Sequence, residues 1–156
     1  MEDDRSFLMR AIKIAGISIE NGGGPFGAVI SKNGKIISEA FNRVILTNDP
    51  TAHAEMLAIR YAASVLKSHD LDECTLYTSC EPCPMCLGAI YWAGIKKVVY
   101  ASERADAEEA GFSDKFIYEE IMLEPENRKI VFLRLADAEG KEPFRKWDEF
   151  ESKISY

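Results

Sequence analysis

Two short stretches hold residues whose types and spacing could do chemistry, "HAE" at 53–55 and "CEPCPMC" at 80–86. Cys83 and Cys86 are three apart, hence neighbours on one helix face, and a helix N-terminus there lowers a thiol pKa. With His53 they offer one nitrogen and two sulfurs, a donor set that suits zinc. Three protein ligands leave the fourth tetrahedral position to water, as in catalytic zinc sites, and zinc brings that water's pKa down to about 7. Glu55 follows His53 with only Ala54 between. In mid-helix the two would point about 200° apart, so they can share a site only at a helix's N-terminal tip, where side chains reach along the axis. There Glu55 can take the water's proton and pass it to a leaving group.

Each motif alone is more often structural than catalytic; their combination carries the zinc reading. Cys80, Cys83 and Cys86 imitate the first three ligands of an iron–sulfur run, but position 90, where a fourth cysteine belongs, is Ile. Pro82 disfavours helix at Glu81, which leaves Cys80 on the end of a preceding strand. Cys80 and Cys74 are therefore expected to be packing residues. A non-catalytic, zinc-stabilised binding protein would instead need Cys80 as a fourth ligand. His69 is expected to be a solvated loop residue. The triple glycine at 22–24 follows a helix and not a strand, which argues against a phosphate loop.

The elements that must position these residues are legible as patterns. Phe7, Leu8, Ala11, Ile12, Ala15 and Ile19 form a helical stripe stopped at Asn21-Gly22. "PFGAVIS" and "GKIISEAFN" flank Asn33-Gly34, a hairpin signal. A loop over Arg43–Asp49 leads to a second helix expected from Pro50 to about Lys67. "CTLYTS" is a strand, "EPCPMCLGAIYWAG" a helix with its prolines in the first turn, and "KKVVYAS" another strand. An acidic, alanine-rich connection, a short helix near 113–122, a last strand "KIVFLRLA" and a C-terminal helix from about Pro143 complete the chain. This order predicts an α/β fold, a three-layer α/β/α sandwich with a mixed five-stranded sheet. The strands on either side of the cysteine helix should run parallel. The helices starting near His53 and Cys83 can then converge at one edge.

One domain is expected for 156 residues with 47% apolar content. The net charge of −7 opposes the basic footprint of a nucleic-acid-binding protein, and a small uncharged substrate suits it better. No apolar run reaches the roughly 18 residues of a membrane helix. The acidic start "MEDDRSF" is unlike a secretory signal, so a cytoplasmic location is expected. Clustered cysteines in a reducing compartment again favour metal.

H-x-E with P-C-x-x-C is the recognised signature of zinc deaminases. Beyond it, "GGPFGAVI", "NDPTAHAE", "LYTSCEPCPMCLGAIYWA", "EAGF", "DKFIY" and a tail with Trp147, Phe150 and Tyr156 give the chain a resemblance to the small bacterial guanine deaminases, within the cytidine deaminase-like superfamily. The resemblance implies hydrolysis of guanine to xanthine and ammonia by attack of a zinc-activated water at C2. It implies one zinc per subunit on His53, Cys83 and Cys86, with Glu55 as proton shuttle. By the same resemblance Phe26, Ala54, Asn42 and Trp92 contact the purine. Asp114 and Tyr156 come from the partner in a domain-swapped homodimer, whose segment from about 137 to 156 packs on the other subunit. Read as residues alone, Asn42 could simply form a turn, Phe26 and Trp92 ordinary core, Asp114 a helix cap and Tyr156 a frayed end. The alternatives within the same chemistry are a tRNA adenosine deaminase and a cytosine deaminase.

Overall fold

In the computed structural model, which describes residues 2–155, the chain runs through α1 (Glu2–Glu20), β1 (Gly27–Lys32), β2 (Lys35–Phe41), a one-turn α2 (Val44–Thr47), α3 (Ala54–Leu66), β3 (Cys74–Cys80) and α4 (Pro84–Trp92). It continues through β4 (Lys97–Ser102), α5 (Arg104–Glu109), α6 (Lys115–Ile121), a 3-10 turn (Pro125–Asn127) and α7 (Asp137–Glu149). These elements group into two compact units, one up to Asp114 and one from Lys115 onward.

The first unit is built on a mixed sheet ordered β2-β1-β3-β4. β1 pairs antiparallel with β2 and β3, and β3 pairs parallel with β4. The parallel pair needs a long connection, which α4 provides. Asn33 and Gly34 close the β1–β2 hairpin at φ of 50° and 71°, the left-handed pair that a tight two-residue turn demands. The period-two alternation of the strands sorts their side chains into two layers. Ala28, Ile30 and Leu76 pack with Ala54, Ala58 and Ala62 of α3 and with Ile90 of α4. Val29 and Tyr77 face the other way, onto Ala11 and Ile14 of α1. A Cβ on Gly27 would stand 2.3 Å from the Ala11 carbonyl oxygen, so glycine lets α1 lie directly on β1.

The sheet has four strands and not the expected five. The stretch "KIVFLRLA" forms no strand; Val131 and Leu135 within it are 79% and 82% exposed. Its residues favour strand, but a strand exists only when a neighbour takes its backbone hydrogen bonds. The second helix begins at Ala54, not Pro50, because Asp49 accepts hydrogen bonds from the Thr51 amide (2.8 Å) and hydroxyl (2.7 Å), making a turn around Pro50. The acidic connection contains α5, started by the Glu103 amide donating to the Asp106 carboxylate at 2.8 Å. α7 starts at Asp137 and carries Pro143 inside it; the i,i+4 ion pair of Lys141 with Asp137 (2.8 Å) supports the turns before the proline.

Within the second unit, Arg128 lies 5.1 Å over the Phe132 ring and donates from Nε to the backbone oxygens of Glu120 and Leu123. A cavity of about 390 Å³ is lined by Phe116, Ile117, Ile121, Ile130 and Phe132. Among the described residues no helix is long and apolar enough to cross a membrane.

Candidate metal and active site

His53 is the N-cap of α3 and Cys83 the N-cap of α4, both with extended backbone and neither using its side chain to cap its helix. Serine or aspartate at these positions would bond back to the helix amides. Imidazole and thiol face forward instead, and Pro84 at the first helical position starts α4 without needing a cap bond of its own. Cys86, one turn on, is fully buried.

His53 Nδ1 lies 3.5 Å from Cys83 Sγ and 3.6 Å from Cys86 Sγ. The three ligand atoms all fall within 4.8 Å of one another, the one such group among the described residues. A tetrahedral zinc, with Zn–N near 2.05 Å and Zn–S near 2.3 Å, sets its nitrogen and sulfur ligands about 3.6 Å apart, so the donor set fits this ion.

The electrostatics agree. Hydrogen bonding with Cys86, and then with His53, pulls the Cys83 thiol down to about 4. Cys86 is pushed up by donating to Cys83 and by burial. His53 is raised, first by its bond to Cys83. A divalent cation would draw both sulfurs as thiolates.

Glu55 is buried, and burial pushes its carboxyl above the usual range. Thr78, at 1% exposure, donates its hydroxyl to Glu55 Oε1 at 3.3 Å. Thr78 belongs to neither chemical motif in the sequence, H-x-E or P-C-x-x-C. Its signal was a hydroxyl on the α3-facing side of β3, where Leu76 shows an apolar residue is the norm.

Cys80 stands apart from the ligand group. It ends β3, its thiol contacts the Glu103 carbonyl at 3.6 Å, and burial raises it to about 11, so it stays protonated. Cys74 lies in the core, and His69 is exposed in the loop between α3 and β3.

The expected substrate contacts are placed unequally. Asn42 is buried; its amide donates to the Phe26 carbonyl at 3.0 Å, and its side-chain oxygen accepts from Val44 N at 3.2 Å. A Cβ on Gly23 would come within 2.4 Å of the Asn42 carbonyl oxygen, which explains one of the three glycines. The next residue, Arg43, donates to the Ala52 carbonyl at 2.9 Å, tying this segment beside His53. Ala54 is fully buried at the start of α3.

Asp114 is raised by burial, lowered by Arg104 and raised further by Cys83. Trp92 is not brought to the cluster. It ends α4 six residues beyond Cys86, roughly 9 Å along the axis, and is 72% exposed. Tyr156 lies outside the described residues. A second feature unseen in the sequence is the ion pair of Arg104 Nε with Glu81 Oε1 at 3.3 Å, which fastens α5 to the turn before Cys83.

Residues 1–102 match the family model of the cytidine and deoxycytidylate deaminase zinc-binding region. The chain is 55% identical over 152 residues to a guanine deaminase of Bacillus subtilis, covering 97% of each. A crystal structure of guanine deaminase from that organism superimposes with a TM-score of 0.95 over 97% of this chain and 98% of the other. A tRNA-specific adenosine deaminase of Aquifex aeolicus is 46% identical over 96 residues, 62% of this chain and 64% of the relative.

Proposed function

From the premise that the chain belongs to the cytidine and deoxycytidylate deaminase zinc-binding family, we propose that it is a zinc-dependent hydrolase that converts guanine and water to xanthine and ammonia. The observation that carries this substrate is the 55% identity to a guanine deaminase along 97% of both chains, whereas tRNA-specific adenosine deaminases reach 46% over 62% of this chain and 39% over 81%. The net charge of −7 also disfavours a polyanionic substrate.

His53, Cys83 and Cys86 would hold the zinc, which would supply a water acidic enough to ionise near neutral pH. Glu55, beside the Thr78 hydroxyl, is placed to take a proton from the attacking water, whose oxygen bonds C2 as the C2–N bond breaks, and to pass it to the leaving amine, which departs as ammonia while the water's other proton ends on the ring nitrogen. The burial that raises the pKa of Glu55 makes its carboxylate the stronger base. Asn42, Ala54 and Phe26 hold the ring, and Asp114 accepts hydrogen bonds from its N–H groups.

The active protein is a homodimer in this reading. The segment 137–156 packs on the second copy, and Tyr156 closes that copy's pocket. Support comes from the apolar side chains a single chain leaves exposed there, among them Phe144, Phe150 and Ile154. Trp92, exposed at the end of α4, meets the base in the assembled dimer. The reaction is cytoplasmic, where the four free cysteines stay reduced.

Ammonia release from guanine, adenine, cytosine and tRNA, each incubated with zinc-replete protein, tests the substrate. Guanine is expected to be the substrate turned over, and release from tRNA or cytosine alone would overturn the reading. For the dimer, a Glu55→Gln chain is co-expressed with a chain lacking Tyr156. Random pairing makes about half the dimers mixed, so about a quarter of all sites should recover. Mixed dimers no more active than the two parents would refute the crossing.

A further inference from the structure

The loop between α5 and α6 carries an aromatic ring against Phe26. Gly111 turns the chain at φ 91°, a left-handed conformation that favours glycine, and residues 112–114 follow without helix or sheet bonds. The Phe112 ring meets the Phe26 ring edge to face, with centroids 5.0 Å apart. Phe26 in turn is joined through the Asn42 amide to the segment beside His53. Two residues on stands Asp114, the acceptor that the guanine reading sets against the N–H groups of the base.

The loop is fastened where it is. The Phe112 amide donates to the Ala107 carbonyl at 2.8 Å, the Ser113 hydroxyl to Glu108 at 3.2 Å, and Arg104 at the start of α5 pairs with Glu81. Phe112 nevertheless remains 46% exposed, although its partner ring, Phe26, packs against the core. An aromatic ring that is held by its backbone and a partner ring, yet half open, has the character of a ligand wall.

We infer that Phe112 is a substrate-binding residue: with Phe26 it forms a two-ring aromatic wall against which the flat purine packs while Asp114 accepts its N–H groups. This rests on the guanine reading above. Its role is to hold the ground state and transition state alike, so its loss should appear in KM and leave kcat largely intact.

The test compares wild type, Phe112→Ala, Phe112→Leu and Phe112→Tyr, all zinc-replete, for KM and kcat on guanine and for xanthine affinity by calorimetry. Zinc content and circular dichroism serve as folding controls. Losing the ring is expected to raise KM and the xanthine Kd about tenfold in the Ala variant, somewhat less in the Leu variant, with Tyr close to wild type. Phe112→Leu keeps apolar bulk and reports even if Phe112→Ala fails to fold. Unchanged KM and xanthine Kd in the folded Ala or Leu variant would overturn the inference, as would a loss confined to kcat. A wild type inactive on guanine would overturn the guanine reading itself and this inference with it, whereas an active wild type with an indifferent Phe112 overturns the inference alone.

Discussion

Replacing Thr78 by valine removes one hydroxyl beside Glu55 and almost nothing else. The two side chains have nearly the same shape, and the backbone of Thr78 stays paired with Ala28 on β1 and Tyr100 on β4. At 1% exposure, no water can take the hydroxyl's place, so Glu55 Oε1 loses the Thr78 donor. A hydrogen bond to a charged group contributes about 1.5–3 kcal/mol. If that is lost in the transition state, the rate falls by about 10- to 150-fold. The observed 3.3 Å is long for an O–H···O contact, whose usual length is about 2.7–2.8 Å, so the lower part of the range, about 10- to 30-fold, is expected. Steady-state kinetics on guanine should show the loss in kcat with KM little changed, at full zinc occupancy measured by elemental analysis. Thr78→Ser keeps the hydroxyl and should recover most of the rate. A zinc-replete Thr78→Val enzyme within about threefold of wild-type kcat would refute the reasoning, as would a serine variant as slow as the valine one.

Three further outcomes follow from the same geometry. His53→Ala removes the nitrogen 3.5 Å from Cys83 and should lower bound zinc well below one per chain by elemental analysis; full retention would move the metal elsewhere. Asp114→Ala should leave zinc in place and cost guanine kcat/KM about 1–3 kcal/mol, roughly 5- to 150-fold, through unpaired N–H groups on the base. Glu55 titrates above its unfolded value, so the folded protein holds that proton more tightly. The resulting penalty is absent below the unfolded pKa, grows as pH rises through the folded one and is constant beyond it. In zinc-stripped protein, Glu55→Gln should therefore melt at least about 2 °C higher than wild type at pH 8 and equally at pH 4, and a constant difference at both would contradict the assignment.

Local chemistry made much of this protein legible in its sequence. Asn33-Gly34 dictates its turn through backbone sterics, the stripe of α1 through its helical period, and the layers of β1 and β3 through alternation. The ligand set was equally plain, because cysteines three apart after Pro82 and a histidine one residue from a glutamate can converge only at helix tips. What depended on distant residues was not legible. Thr78 and Glu55 are 23 positions apart, and Phe26 and Phe112 lie on opposite sides of the sheet-forming sequence; no periodicity links either pair, and only packing brings them into contact. Pro50 looked like a helix start until the Asp49 side chain claimed its turn, a competition between two local motifs that their hydrogen bonds decided. The fifth strand failed for the complementary reason. "KIVFLRLA" has every intrinsic preference for strand, but its backbone needs a neighbour that sequence cannot name, and within the described chain its side chains stand in the open.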